Sequence, residues 1–175
     1  MIWPPWMRSA ARPLVWAVIV AVAILWVGRH PLLGGIGFEF AVLAAAVTSI
    51  AAFDLGAAEG RRALRQPELA GSDARDAGRA LGRALFRALS VALVPLVIAL
   101  VRAWWWPVCE WGFGLWAYLL MPLWGAVIFA VAGLGLARLT GARPRLGTVA
   151  VVLVWLAVAG WGVLVFYRSP AVFSY

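Results

Sequence analysis

The stretch "RALGRALFRALSVALVPLVIALVRA", Arg79 to Ala103, changes character part-way along. Arg79, Arg83 and Arg87 recur every fourth residue, and Arg75 extends the series upstream; from Ala88 to Val101 there is no charge at all. At about 100° per residue, an interval of four keeps the arginines on one slowly drifting stripe of a helix. A basic stripe running directly into an uncharged apolar run reads as a juxtamembrane helix. Its arginines lie on lipid headgroups before the chain enters the bilayer. Arginines of a voltage sensor would lie within the apolar run; these precede it. Pro95 removes the N–H that would reach the Val91 carbonyl, which kinks a helix unless neighbours supply another donor.

The rest of the chain agrees with this placement. Of its 175 residues 65% are hydrophobic and 13% charged, and the mean hydropathy is +0.95. Soluble domains carry about 25% charged residues, so an apolar excess of this size has to face lipid. The expected fold is an all-α integral membrane protein, a single polytopic domain over residues 1–175. It comprises a bundle of about five transmembrane helices, over residues 14–28, 37–57, 85–103, 115–137 and 148–167. A cytoplasmic polar segment over 59–82 carries the amphipathic juxtamembrane helix. Ser72 is placed to cap that helix, with Asp73 and Asp76 in its first turn, where the helix dipole favours anions.

The second span, containing "FAVLAAAVTSIAAF", is the one expected to be most surrounded by protein. Ala41, Ala45 and Ser49, or alternatively Ala44, Thr48 and Ala52, share one helical face. Small residues so spaced let backbones approach closely where hydrophobicity supplies no drive between helices. Gly125 and Gly133 give the fourth span the same property.

The positive charge sets an orientation. All fifteen basic residues are arginines. With five spans, twelve of them fall on the side shared by the N-terminus, the polar segment and the Arg138-to-Arg145 turn; only Arg29, Arg102 and Arg168 fall opposite. That asymmetry places the N-terminus in the cytoplasm and the C-terminus outside, in a cytoplasmic (inner) membrane. The net charge of +8 is thereby accounted for by membrane topology, and nucleic-acid binding is not expected.

Chemistry is sparse. A single cysteine and a single histidine leave no internal disulfide and no cysteine- or histidine-based metal site within the chain. No phosphate-binding glycine loop or serine-hydrolase motif is present. No metal or cofactor is expected. The candidate polar cluster lies on the outer face: Arg29, His30, Glu39, Arg102 and Glu110, beside Cys109. Ionisable groups at membrane depth are costly unless paired. Glu39 and Glu110 are therefore expected to find Arg29 or Arg102, and Asp54 to find Arg61 or Arg62. The tryptophans of "RAWWWPVCEWGFG", residues 102–114, suit an interfacial belt, where an apolar ring and a single N–H are both accommodated. Trp16 and Trp26, near the two ends of the first apolar run, fit the same belt.

Three functions compete. The first is a non-enzymatic membrane anchor or assembly platform for partner proteins or an extracytoplasmic domain. Its partners are lipids and other membrane subunits or further copies of itself. The apolar ending "YRSPAVFSY" suggests the membrane part of something larger or a truncated reading frame. The second is a membrane subunit of a multi-component transporter, for which Thr48, Ser49 and Ser90 are the only polar groups near mid-span. The third, an intramembrane enzyme using Cys109 or Glu110, has the least support.

Overall fold

Alanine, leucine and valine dominate each apolar run, and in lipid a helix is the one open segment that satisfies every backbone group internally. In a computed structural model the described residues, which are 5–29, 38–65, 74–104 and 111–141 with the isolated positions 149 and 153, are helical except for short turns at 28–29, 104 and 140–141. Helix α1 spans Pro5–Val27, α2 Phe38–Arg65 and α3 Ala74–Ala103. Helices α4 (Trp111–Tyr118) and α5 (Trp124–Leu139) are joined without a break by a single π-helical turn, Leu119–Leu123.

Three helical segments are long and apolar enough to cross a membrane: Phe40–Arg65, Asp76–Ala103 and Trp111–Leu139; Ala11–Trp26 is a shorter apolar helix. The span expected over 148–167 lies outside the described residues, apart from Val149 and Leu153.

The helices outrun the apolar segments that define them. Helix α1 starts at Pro5, well before residue 14, and carries Pro13 inside it. Proline suits the first helical position, because its missing N–H has no intrahelical partner there. Helix α2 passes residue 57 and ends at Arg65, so the first part of the expected polar segment is helical. The juxtamembrane helix and the third span form one continuous rod, α3, whose first turn holds Asp76.

Cross-helix contacts fix the arrangement. Arg12 meets Asp54, Glu59 meets Arg83 and Arg87, and Arg102 meets Gly28. So α1 and α3 run in one direction, and α2 with α4–α5 in the other. Helix α2 lies at the centre, against both α3 and α5, while α1 packs chiefly on α3. The membrane window of α2 is 56% buried, against 33% and 28% for the two longer segments, so α2 is the most protein-surrounded of the three.

The α2–α5 seam is built on absent side chains. A Cβ on Gly56 would collide with the Ala130 carbonyl, and one on Gly133 with the Phe53 carbonyl. A Cβ on Gly60 would lie 2.8 Å from the Ala137 Cβ. Ala52, Ala88, Ala92, Ala126 and Ala130 fill the space where α2, α3 and α5 meet. A larger core of Val20, Ile24, Phe40, Ala44, Leu55, Val91 and Tyr118 joins α1 to the rest.

The two prolines are handled differently. On α3, the buried Tyr118 hydroxyl donates to the Ala92 carbonyl, next in the chain to the Val91 carbonyl that Pro95 leaves without its helical donor. Pro122 sits within the π-helical turn, whose wider ring accommodates a residue that cannot donate.

Candidate functional site

The charged groups of the bundle assemble into two clamps on α2, each a carboxylate between arginines. Glu59 is the first. It is nearly fully buried, its side chain 2% exposed. Arg83 Nε donates to its Oε2 at 3.2 Å, and Arg87 donates to Oε1. The spacing of four on α3 lets both guanidiniums reach one acid on the facing helix. Arg87 is largely covered, 22% exposed, whereas half of Arg83 remains open.

Asp54 is the second. Both of its oxygens are held by Arg12: Nε to Oδ2 at 2.9 Å and Nη2 to Oδ1 at 3.1 Å. This fork matches a carboxylate plane in two parallel bonds. The Trp16 indole N–H adds a third bond, to Oδ2 at 2.9 Å, and Arg61 Nη2 stands 3.8 Å from Oδ1. Asp54 and Glu59 are five residues apart on α2, about 140° around the helix, so one faces α1 and the other α3.

The arginine stripe of α3 is thus divided. Arg83 and Arg87 bind Glu59; Arg79 is exposed and pairs with Asp76 one turn earlier at 3.2 Å; the Arg75 side chain lies outside the described residues. Arg61 is the partner of Asp54 that the sequence offered, and Arg62 is exposed. Arg12 and Trp16 are partners of Asp54 that sequence reasoning misses, since a tryptophan near a helix end reads equally well as part of the belt.

At the opposite end, Arg102 donates to the Gly28 carbonyl, where a guanidinium complements the C-terminal end of the α1 dipole. Gly28 has no room for a side chain: a Cβ there would meet the Arg102 guanidinium. Arg29 is exposed. His30, Cys109, Glu110 and the Glu39 side chain lie outside the described residues, so the outer cluster is represented by its two arginines.

Two hydroxyls serve their own helices. The buried Thr48 Oγ1 donates to the Ala44 carbonyl at 2.6 Å, and the exposed Ser90 Oγ to that of Phe86 at 2.7 Å. Ala41 and Ser49 are buried, Ala45 is half-buried, and Gly125 sits against Ser49, with 3.2 Å between Oγ and the position of a Cβ. Among the described residues no fully buried side-chain nitrogen or oxygen lacks a hydrogen-bond partner, and no group of acids, histidines or cysteines is placed to hold a metal.

No protein-family model, curated protein or solved structure matches this chain.

Proposed function

We propose that this chain is a non-enzymatic integral membrane domain, an anchor or assembly platform for partner subunits or an extracytoplasmic domain. One observation supports this reading above the others: the buried polar groups of the described bundle are spent on its own construction. Glu59 and Asp54 tie three helices together, Tyr118 serves the proline turn of α3, and Thr48 bonds its own helix. A scaffold needs such self-satisfaction; a reaction centre or solute path needs polar groups left over. In this reading the arginine-rich end, which holds Arg12, Arg61, Arg83, Arg87 and Arg138, faces the cytoplasm of a bacterial-type inner membrane. Residues 148–167 complete a five-span bundle, and Arg75 and Arg79 touch headgroups.

The test is native mass spectrometry of the protein extracted gently from its own membrane. A stoichiometric second protein, or a second copy, is the expected result. Release of the chain alone under several mild detergents would count against a platform.

A second reading, a transporter subunit, draws on one feature. Helix α3 carries Pro95 within its span, the α4–α5 segment carries a π-helical turn with Pro122, and Tyr118 links the two segments through the Ala92 carbonyl. Irregular turns in facing membrane helices occur where helices move or line a path.

A further inference from the structure

Two charged layers cross the described bundle, and on one flank the apolar band between them is shallow. At the arginine-rich end Asp54 is bonded by both Arg12 and Trp16, so its carboxylate lies level with that turn of α1. At the other end Arg102 closes on the Gly28 carbonyl, and Arg29 is exposed beside it. Gly28 follows Arg12 by sixteen residues and Trp16 by twelve, about 18–24 Å of helix rise. On α3, Arg102 follows Arg87 by fifteen residues, about 22 Å. An ordinary hydrocarbon core is about 30 Å thick. The α4–α5 segment has no such shortfall: it is uncharged from Trp111 to Ala137, about 40 Å of helix before Arg138.

The usual ways of relieving a mismatch are closed to α1. Tilt shortens the reach of a helix along the membrane normal, so it makes a short helix shorter. A free arginine could snorkel outward, but Arg12 Nε and Nη2 are both held by Asp54 on the central helix α2. That pair is not sealed inside the protein either. The side chains of Arg12 and Asp54 are 44% and 30% exposed, so their surroundings have to solvate charge. Between the two layers α1 carries no polar residue but Trp16, and Val15, Val18, Val22 and Leu25 are exposed. That surface suits acyl chains over about two-thirds of the usual height.

We propose that the bilayer thins against the α1 flank, so that the headgroups of its two leaflets meet the charged layers about 20 Å apart. The partner is the lipid surface itself, recognised by its thickness, while α4–α5 matches a bilayer of ordinary thickness. The inference goes beyond the anchor reading and is independent of it.

The experiment places single spin labels on the full chain in a Cys109→Ser background, reconstituted in dioleoylphosphatidylcholine vesicles. Depth is read from collisions with oxygen and with a water-soluble nickel chelate. The labelled positions are Val15, Val22 and Leu25 on α1 and Ile128 on α5, all exposed side chains. Val15 and Leu25 should lie within about 5 Å of the headgroups, and Val22 no more than about 10 Å below them. Ile128, ten residues from Arg138, should lie about 15 Å deep. Val22 as deep as Ile128, with Val15 out of reach of the chelate, would overturn the proposal by placing the Arg12–Asp54 pair in hydrocarbon of ordinary thickness. Labels on α1 that neither reagent reaches would also overturn it, because protein would then cover that flank. In a folded variant carrying Arg12→Leu and Asp54→Leu, chelate collisions at Val15 should fall severalfold; unchanged collisions would overturn the role given to the clamp. The depth profile of the chain with Arg12 and Asp54 intact decides the proposal even where that double variant fails to fold.

Discussion

Replacing the members of the Glu59 clamp one at a time should give three different costs, ordered by burial rather than by charge. Glu59 is 2% exposed, Arg87 22% and Arg83 50%. Removing one member of a buried pair costs about 3–5 kcal/mol, because its partner is left charged and dry. Exposed pairs contribute about 0–1 kcal/mol. Glu59→Gln leaves the covered Arg87 without a counter-charge, while Arg83 can turn to water. The expected cost is about 3 kcal/mol, the low end of the buried range, since the carbonyl of the substituted amide still accepts one bond. Arg87→Gln leaves Glu59 paired with Arg83 alone and should cost about 2 kcal/mol. Arg83→Gln should cost under about 1 kcal/mol. Glu59→Gln combined with Arg87→Gln should cost less than the sum of the two, because the second change removes the charge stranded by the first. Reversible unfolding by SDS titration in mixed micelles measures all four. Arg83→Gln costing as much as Glu59→Gln would refute the burial argument, and a neutral Glu59→Gln would refute the clamp itself.

Further outcomes follow from the seam, the proline turn and the orientation. Gly56→Ala and Gly133→Ala place a Cβ against a facing carbonyl and should each destabilise by about 1–3 kcal/mol in the same titration. Gly78→Ala and Gly82→Ala meet nothing within 4 Å and should be neutral or stabilise by up to about 1 kcal/mol. Tyr118→Phe removes the donor to the Ala92 carbonyl and should cost about 1 kcal/mol while leaving the secondary structure, read by far-UV circular dichroism, intact. Cys109 is the chain's single thiol, so a membrane-impermeant maleimide applied to intact spheroplasts should label it. Labelling only after permeabilisation would reverse the proposed orientation.

How much of the bundle is legible in the sequence depends on what each feature requires. The α3 rod can be read because the arginine spacing and the apolar run lie on one helix and obey one period. The central place of α2 follows from its small residues for the same reason. Glu59 escapes a local reading because Gly60, Arg61 and Arg62 after it look like a loop, and such polarity suggests that the helix has ended. A signal is nonetheless present. Ala44, Thr48, Ala52 and Leu55 step along α2 by three or four, and Glu59 is the next position on that buried face. A carboxylate continuing a small-residue face asks for a basic partner, and Arg83 with Arg87 offers the matching spacing. The role of Trp16 has no such signal. Both a belt tryptophan and a donor to Asp54 are apolar rings near a helix end, and only the approach of α1 to α2 separates them. The hydroxyl of Tyr118 at the Pro95 turn is likewise a contact between distant segments that no local period encodes.

Interior charges that build the bundle should not conduct. Proteoliposomes containing the purified chain, assayed for proton, ion and small-solute flux, test this most directly. Wild type is expected to be no more permeable than empty vesicles, and Glu59→Gln is expected to lower stability without creating or removing flux. Protein-dependent flux in the wild type that disappears in a folded Glu59→Gln variant would contradict the clamp, placing Glu59 on a pathway instead.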